Sequence, residues 1–142
     1  MTGEIKVKVP TSGRGGKTVT EEFFAYTNDD QNKRVLLKVI AQIKSVVSIQ
    51  PEKVHLWGNA GEEITETIII TPQKNYEFKI LDIVAANGKE IEYKVEKLED
   101  NSYRLFVANK KNEKGTYSDI LFLKTDSKLK PALRINIFGN IK

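Results

Sequence analysis

The residues most suggestive of chemistry lie early in the chain, in "TSGRGGKTVT", Thr11 to Thr20. Gly16-Lys17-Thr18 matches the end of the phosphate-loop pattern G-x-x-x-x-G-K-[ST], but Thr11 stands where the first glycine belongs. Such a loop must also open a helix, whose N-terminal N–H groups hold the phosphate. The residues that follow, "TVTEEFFAYT", instead alternate in polarity and are rich in β-formers. The glycines are therefore expected to form a hairpin turn rather than a nucleotide site. Three acidic clusters, Asn28-Asp29-Asp30, Glu62-Glu63 and Glu99-Asp100, are chemically able to ligate calcium, yet they lack EF-hand spacing and consist of turn-forming residues. No acid is flanked by the aromatic and amide residues of a glycosidase subsite. His55 is the single histidine, and cysteine is absent, so no catalytic triad, thiol nucleophile or Cys-based zinc site is indicated. Neither catalysis nor a cofactor is expected. Trp57 shares the phase of His55, opposite to Val54 and Leu56, and is either an interface residue or a lid on the core edge.

Charge narrows the possible partners. The net charge is +4, but residues 1–43 hold seven Lys/Arg against five Asp/Glu and the remainder sixteen against fourteen, so there is no basic arm. Lys110, Lys111 and Lys114 belong to one loop, and Lys128 and Lys130 to the next, at the opposite end of an antiparallel pair. A nucleic-acid surface is not expected. No apolar run approaches the roughly 20 residues of a membrane helix, and "MTGEIKVKVP" lacks the hydrophobic core of a signal peptide.

The elements that would carry these residues alternate with a period of two. "EIKVKVP", "VHLWG", "ETIIIT", "YEFKILDIV", "EIEYKVEKL", "SYRLFVA", "YSDILFLKT" and "ALRINIFG" all read as half-buried strands separated by turn residues. "KVIAQIKSVV" also reads as strand, because it is β-branched and uncapped. A shift of 98 residues lays Ile5–Ile43 on Tyr103–Ile141 without a gap, with Val9 on Val107, Thr18 on Thr116, Phe24 on Phe122, Thr27 on Thr125 and Ile43 on Ile141. The apolar alternation stays in phase along three strands, which matters because a one-residue slip would turn each core side chain to solvent. The expected fold is all-β: one complete seven-stranded immunoglobulin-like antiparallel sandwich over residues 45–142, preceded by residues 1–44 as the C-terminal three strands of a second, truncated copy. Pro51 is expected to break the first strand of the complete module, and it either demotes that strand to an edge or marks a switch between sheets.

"GEIKVKVPTSGRGGKTVTEEFFAYTNDD" resembles the second half of a bacterial immunoglobulin-like domain of unknown function, related to the hydin-type (ASH) and major-sperm-protein sandwiches. The elements that carry the resemblance are Gly3–Val7, Gly13–Gly16, Phe23–Asp29 and Val35–Ile43, repeated more loosely as Tyr103–Val107, Leu121–Asp126 and Leu133–Ile141. Asp30 stands where that family often has proline. The resemblance implies a non-catalytic structural or protein-interaction module of a larger envelope or surface protein, located in the periplasm or at the cell surface. A carbohydrate- or ligand-binding sandwich, or an accessory domain of an envelope enzyme, is the alternative.

Two apolar surfaces are the expected contact sites. Ile5, Val7, Val9, Phe23, Ala25, Val35, Leu37 and Val39 form a strand face whose covering strands are missing, which points to self-association through the truncated module. Phe24, Tyr26, Phe106, Phe122 and Phe138 point outward, with Phe24 and Phe122 at equivalent positions. Together with Trp57 they form a second candidate interface.

Overall fold

The computed structural model describes residues 3–11 and 13–142 and divides the chain into two compact units, Met1–Ser45 and Val46–Lys142. All regular structure among the described residues is β.

The first unit is a hairpin. β1 (Thr18–Tyr26) and β2 (Arg34–Gln42) pair antiparallel, with Phe23 opposite Leu37 and Ala25 opposite Val35. Val19, Phe23, Ala25, Val35, Leu37 and Val39 share the less exposed face, yet no described residue of this unit is buried. The expected third strand at Ile5–Val9 is not present: residues 3–11 form no strand, and Ile5 and Val7 are exposed. Alternation gives a segment two faces, but a strand exists only when a neighbour takes its backbone N–H and C=O groups, and β1 and β2 pair only with each other. The expected buried face is correspondingly half open.

The second unit is a two-sheet sandwich. Its strands are β3 (Val47–Gln50), β4 (Lys53–Gly58), β5 (Thr65–Pro72), β6 (Ile80–Ala85), β7 (Ile91–Lys97), β8 (Tyr103–Asn109), β9 (Gly115–Thr125) and β10 (Ala132–Ile141). One sheet has the order β3-β5-β8-β7 and the other β4-β10-β9-β6. This is the immunoglobulin-like arrangement, with the first strand shared between sheets. The exchange occurs at Pro51, which follows a cis peptide bond and has no N–H to donate to a ladder. β3 pairs antiparallel with β5, whereas β4 pairs parallel with β10. The seven expected strands therefore become eight. The strand expected from Tyr76 begins only at Ile80, after a turn in which Tyr76 N–H donates to the Gln73 carbonyl at 2.9 Å.

Inward residues of both sheets form one core, including Leu56, Ile68, Leu105, Leu121, Leu123 and Ile135, all with no measurable exposure. Asp119 occupies the same phase of β9 as Leu121 and is buried. Its Oδ1 accepts from Asn87 N–H at 3.0 Å and Ile120 N–H at 2.8 Å, and its Oδ2 accepts from Gly88 N–H at 2.8 Å. The carboxylate thus holds the chain where it leaves β6 to cross to the other sheet. Gly88 takes a φ of +75° at this crossing, a conformation glycine adopts without strain.

The two hairpins β1–β2 and β9–β10 agree in detail under the 98-residue shift. Thr18 opposite Gln42, Phe23 opposite Leu37 and Tyr26 opposite Arg34 correspond to Thr116 opposite Asn140, Leu121 opposite Ile135 and Lys124 opposite Ala132. The turns match as well. Thr27 N–H donates to the Lys33 carbonyl at 2.8 Å, and Thr125 N–H donates to the Pro131 carbonyl at 2.9 Å. In each turn the threonine hydroxyl accepts from the N–H two residues on and donates to the carbonyl five residues on.

Candidate interaction surface

The chemical candidates in the sequence occupy structural positions. In the glycine loop, Ser12 lies outside the described residues, and the segment beginning at Thr18 is β1 rather than a helix. Gly13 and Gly16 have φ of +72° and +79°, Gly16 N–H donates to the Ile43 carbonyl at 2.7 Å, and Arg14 pairs with Glu21 at 3.1 Å. The loop closes the open end of the hairpin.

The acidic clusters cap turns. Asp29 is held below the usual carboxylate range first by Gln31 N–H, at 2.9 Å, and then by the Asn32 amide. Glu62 is lowered by the side chain and backbone N–H of Asn59, and Asp100 by the hydroxyl and backbone N–H of Ser102. Each carboxylate bonds to a residue two or three positions away, which is how Asx-type turns are built. Among the described residues, no three His, Cys, Asp or Glu side chains converge to hold a metal ion.

Among the described residues, Tyr117 is the one titratable group whose pKa moves far, raised to about 12 by burial and then by the charges of Glu90 and Asp119. Its ring covers Gly139, directly opposite on β10, and its hydroxyl donates to Asn109 Oδ1 at 2.8 Å. A tyrosine fixed in this way is a packing residue.

Strand edges offer less than their exposure suggests. β6 is a sheet edge, but its Ile80 and Ala85 N–H groups donate to the hydroxyls of Tyr103 and Tyr93, at 3.4 and 3.3 Å, and Ile83 N–H donates to Asp82 Oδ1 at 2.9 Å. With these donors taken, β6 is a poor template for an added strand.

The faces are where apolar surface gathers. On the outside of the β4-β10-β9-β6 sheet, Trp57 is 69% exposed, Val84 53%, Phe138 43% and Phe122 40%. The ladders align them in rows, Trp57 with Asn140, His55 with Phe138, and Arg134 with Phe122 and then Val84. His55 stacks on Phe138 with ring centroids 5.5 Å apart and planes inclined by 22°, and Lys142 Nζ lies 5.9 Å from the centre of the Trp57 ring. On β1–β2, Phe24 and Tyr26 are exposed on the equivalent outer face, with the Arg34 guanidinium 4.5 Å over the Phe24 ring. Val9 and Phe23 are half-buried, and Phe23 faces away from Phe24. The structure thus separates the expected interface residues into four groups. Ile5, Val7 and Val9 lie outside any strand, Phe23, Phe24 and Tyr26 on the first hairpin, Phe106 on the outer face of the β3-β5-β8-β7 sheet, apart from the rings it was expected to join, and Trp57 and Phe122 on the β4-β10-β9-β6 sheet. Phe138, His55 and the intervening amides complete the last group. Their juxtaposition depends on the parallel β4–β10 pairing, which alternation alone does not reveal.

No family model matches the chain, and no curated protein does. Solved structures with similar chain traces include mouse clustered PcdhgC3 EC1-3, at TM-score 0.49 and 10% identity over 89% of this chain and 42% of that one. Another is the sialic acid binding region of a Streptococcus sanguinis SK1 adhesin bound to 3'sLn, at TM-score 0.45 and 12% identity over 84% and 37%. The chain spans less than half the length of either protein.

Proposed function

We propose that this chain is a stretch of a larger bacterial envelope or surface protein built from repeated immunoglobulin-like sandwiches, acting as a non-catalytic structural and protein-contact module. Residues 1–44 then supply the closing hairpin of one copy and residues 45–142 a complete second copy. The observation that carries this reading is the agreement of β1–β2 with β9–β10 in register and in threonine turn. In the second unit the β9–β10 hairpin is flanked by β4 and β6 and contributes Leu121, Leu123 and Ile135 to a closed core. The first hairpin has equivalent apolar positions at Phe23, Ala25 and Leu37 that remain half open. Apolar surface of this kind drives association, so the hairpin should pair with that of a second chain about a two-fold axis.

Light scattering across a concentration series tests the assembly. The expected result is a dimer that Leu37→Lys converts to a monomer while the second unit stays folded. A wild-type monomer up to about 1 mM, or a dimer indifferent to Leu37→Lys, overturns the pairing, because a contact of useful strength is populated well below that concentration.

A further inference from the structure

We infer that the outer face of the β4-β10-β9-β6 sheet is a binding platform for an acidic oligosaccharide. The inference goes beyond the assembly reading, since it is argued from side chains of the second unit, whereas that reading is argued from those of the first hairpin.

Charge gives the sign of the ligand. Lys53, Lys124, Arg134 and Lys142 border the exposed rings; Lys124 stands opposite Asp82, the one carboxylate on the strands of this face, which leaves Lys53, Arg134 and Lys142 without an acidic cross-strand neighbour. The ion pairs among the described residues, Lys6 with Glu4, Arg14 with Glu21 and Arg104 with Glu96, include none of these four cations. The outer face of the other sheet differs, because there Arg104 and Lys94 are balanced by Glu96 and Glu92. An anionic ligand is therefore favoured on one side of the sandwich only.

The arrangement of side chains gives the ligand class. Asn140 stands beside Trp57, and Ser118 beside the stacked pair of His55 and Phe138. Asn136 lies between Phe138 and Arg134 along β10 and accepts from Arg134 Nε at 3.3 Å through Oδ1. A sugar ring has an apolar C–H face that lies on an aromatic ring and hydroxyls around its rim that need amide and hydroxyl partners. Protein interfaces instead concentrate apolar residues in a dry centre and place polar groups at the rim. Strands about 4.8 Å apart and rows about 6.7 Å apart make a face roughly 15 by 27 Å at its widest and longest, long enough for an oligosaccharide of several residues. The rings are carried on hydrogen-bonded ladders, so little ordering is required on binding.

The test is titration of the full chain, followed by amide chemical shifts, with hyaluronan hexasaccharide and hexagalacturonate as acidic probes. Chitohexaose serves as the neutral probe and hexaglutamate as the acidic peptide. The expected result is that an acidic sugar shifts amides of β4, β9 and β10 and binds at least tenfold more tightly than chitohexaose, less so at higher salt. Phe138→Ala should weaken it by about tenfold, as for the loss of one stacked ring. Arg134→Ala should reduce the salt dependence, and Phe106→Ala on the opposite sheet should change nothing. The inference is overturned if neither acidic sugar shifts these amides at about 5 mM, a concentration at which a site with a dissociation constant of about 1 mM is mostly occupied. It is equally overturned if hexaglutamate binds as tightly as the sugars, which would make the face an acidic-peptide site, or if Phe106→Ala is as damaging as Phe138→Ala. The readout is the amides of β4, β9 and β10, so failure of this inference is told apart from failure of the dimer, which light scattering reads.

Discussion

Replacing Asp119 by alanine should unfasten the crossing from β6 to β7 and remove a large part of the second unit's stability. Its carboxylate accepts three backbone N–H groups, those of Asn87, Gly88 and Ile120. A hydrogen bond to a charged group contributes about 1.5–3 kcal/mol, and orphaned buried donors add their desolvation penalty. Three bonds to one carboxylate are not additive, and alanine also relieves the cost of burying a charge, so the expected loss is about 3–4 kcal/mol. A domain of this size has about 5–15 kcal/mol in total. Asp119→Asn retains one acceptor oxygen and should lose about 1–2 kcal/mol. Urea denaturation followed by Trp57 fluorescence measures both, with the alanine variant's midpoint lower by about 2–3 M. Hydrogen exchange supplies the local readout, since the Asn87 and Gly88 amides should lose protection before the core strands do. A loss below about 1 kcal/mol for alanine, or equal losses for alanine and asparagine, would refute the reasoning, because the bonds would then contribute no more than ordinary surface contacts.

Gly139→Ala should destabilise the same unit by about 2–4 kcal/mol, because a Cβ there would lie within the Tyr117 ring, between two paired strands that cannot move apart; thermal unfolding measures it. Tyr117 has a folded pKa of about 12 against an ordinary value of 10.0, so its contribution is complete below pH 10 and disappears as the pH rises towards 12. The effect is about 1–2 kcal/mol once solvent screening of the half-buried ring is allowed for, and Tyr117→Phe should flatten the stability profile over that window. The two threonine turns share their hydrogen bonds but differ in burial, Thr125 being buried and Thr27 exposed. Thr125→Val should therefore cost about 1–2 kcal/mol, and Thr27→Val less than about 0.5 kcal/mol, since water replaces the lost partners only at the exposed turn.

Much of the fold was legible because a half-buried strand must alternate. Val54 and Leu56, Leu121 and Leu123, and Ile135 and Ile137 all face the core as their phase requires. Pro51 marked a break, and the break is where the chain changes sheet. Alternation could not distinguish a strand from a segment that merely has the pattern, and Ile5–Val9 is of the second kind because no neighbour pairs with it. Asp119 was overlooked although its signal was present: an acid in phase with Leu121 and Leu123 must be buried, and a buried carboxylate needs donors. The ring and amide platform was harder to foresee. His55 and Phe138 are far apart in sequence, and only the parallel β4–β10 register brings them together.

The first hairpin bears on how the chain is used. A two-stranded hairpin is marginal in water because it has one ladder and nothing to cover its apolar face. β1–β2 keeps a full register over nine residues on each strand and a turn matching that of β9–β10, yet it buries no described side chain. The sequence of β1–β2 therefore suits a core that residues 1–45 do not themselves supply. Its inner positions remain apolar at Val19, Phe23, Val35, Leu37 and Val39, where an isolated surface hairpin would gain solubility from polar residues. Such a face suits the covering partner proposed above. The outer face differs in kind. At Phe122 and Phe138 the exposed rings sit on strands whose inner side is already packed, so burial is not what requires them to be aromatic. An inner face that lacks a cover and an outer face that is apolar over a finished core make separate demands. On the two proposals the first serves assembly and the second recognition, and Leu37→Lys and Phe138→Ala are expected to disrupt them independently.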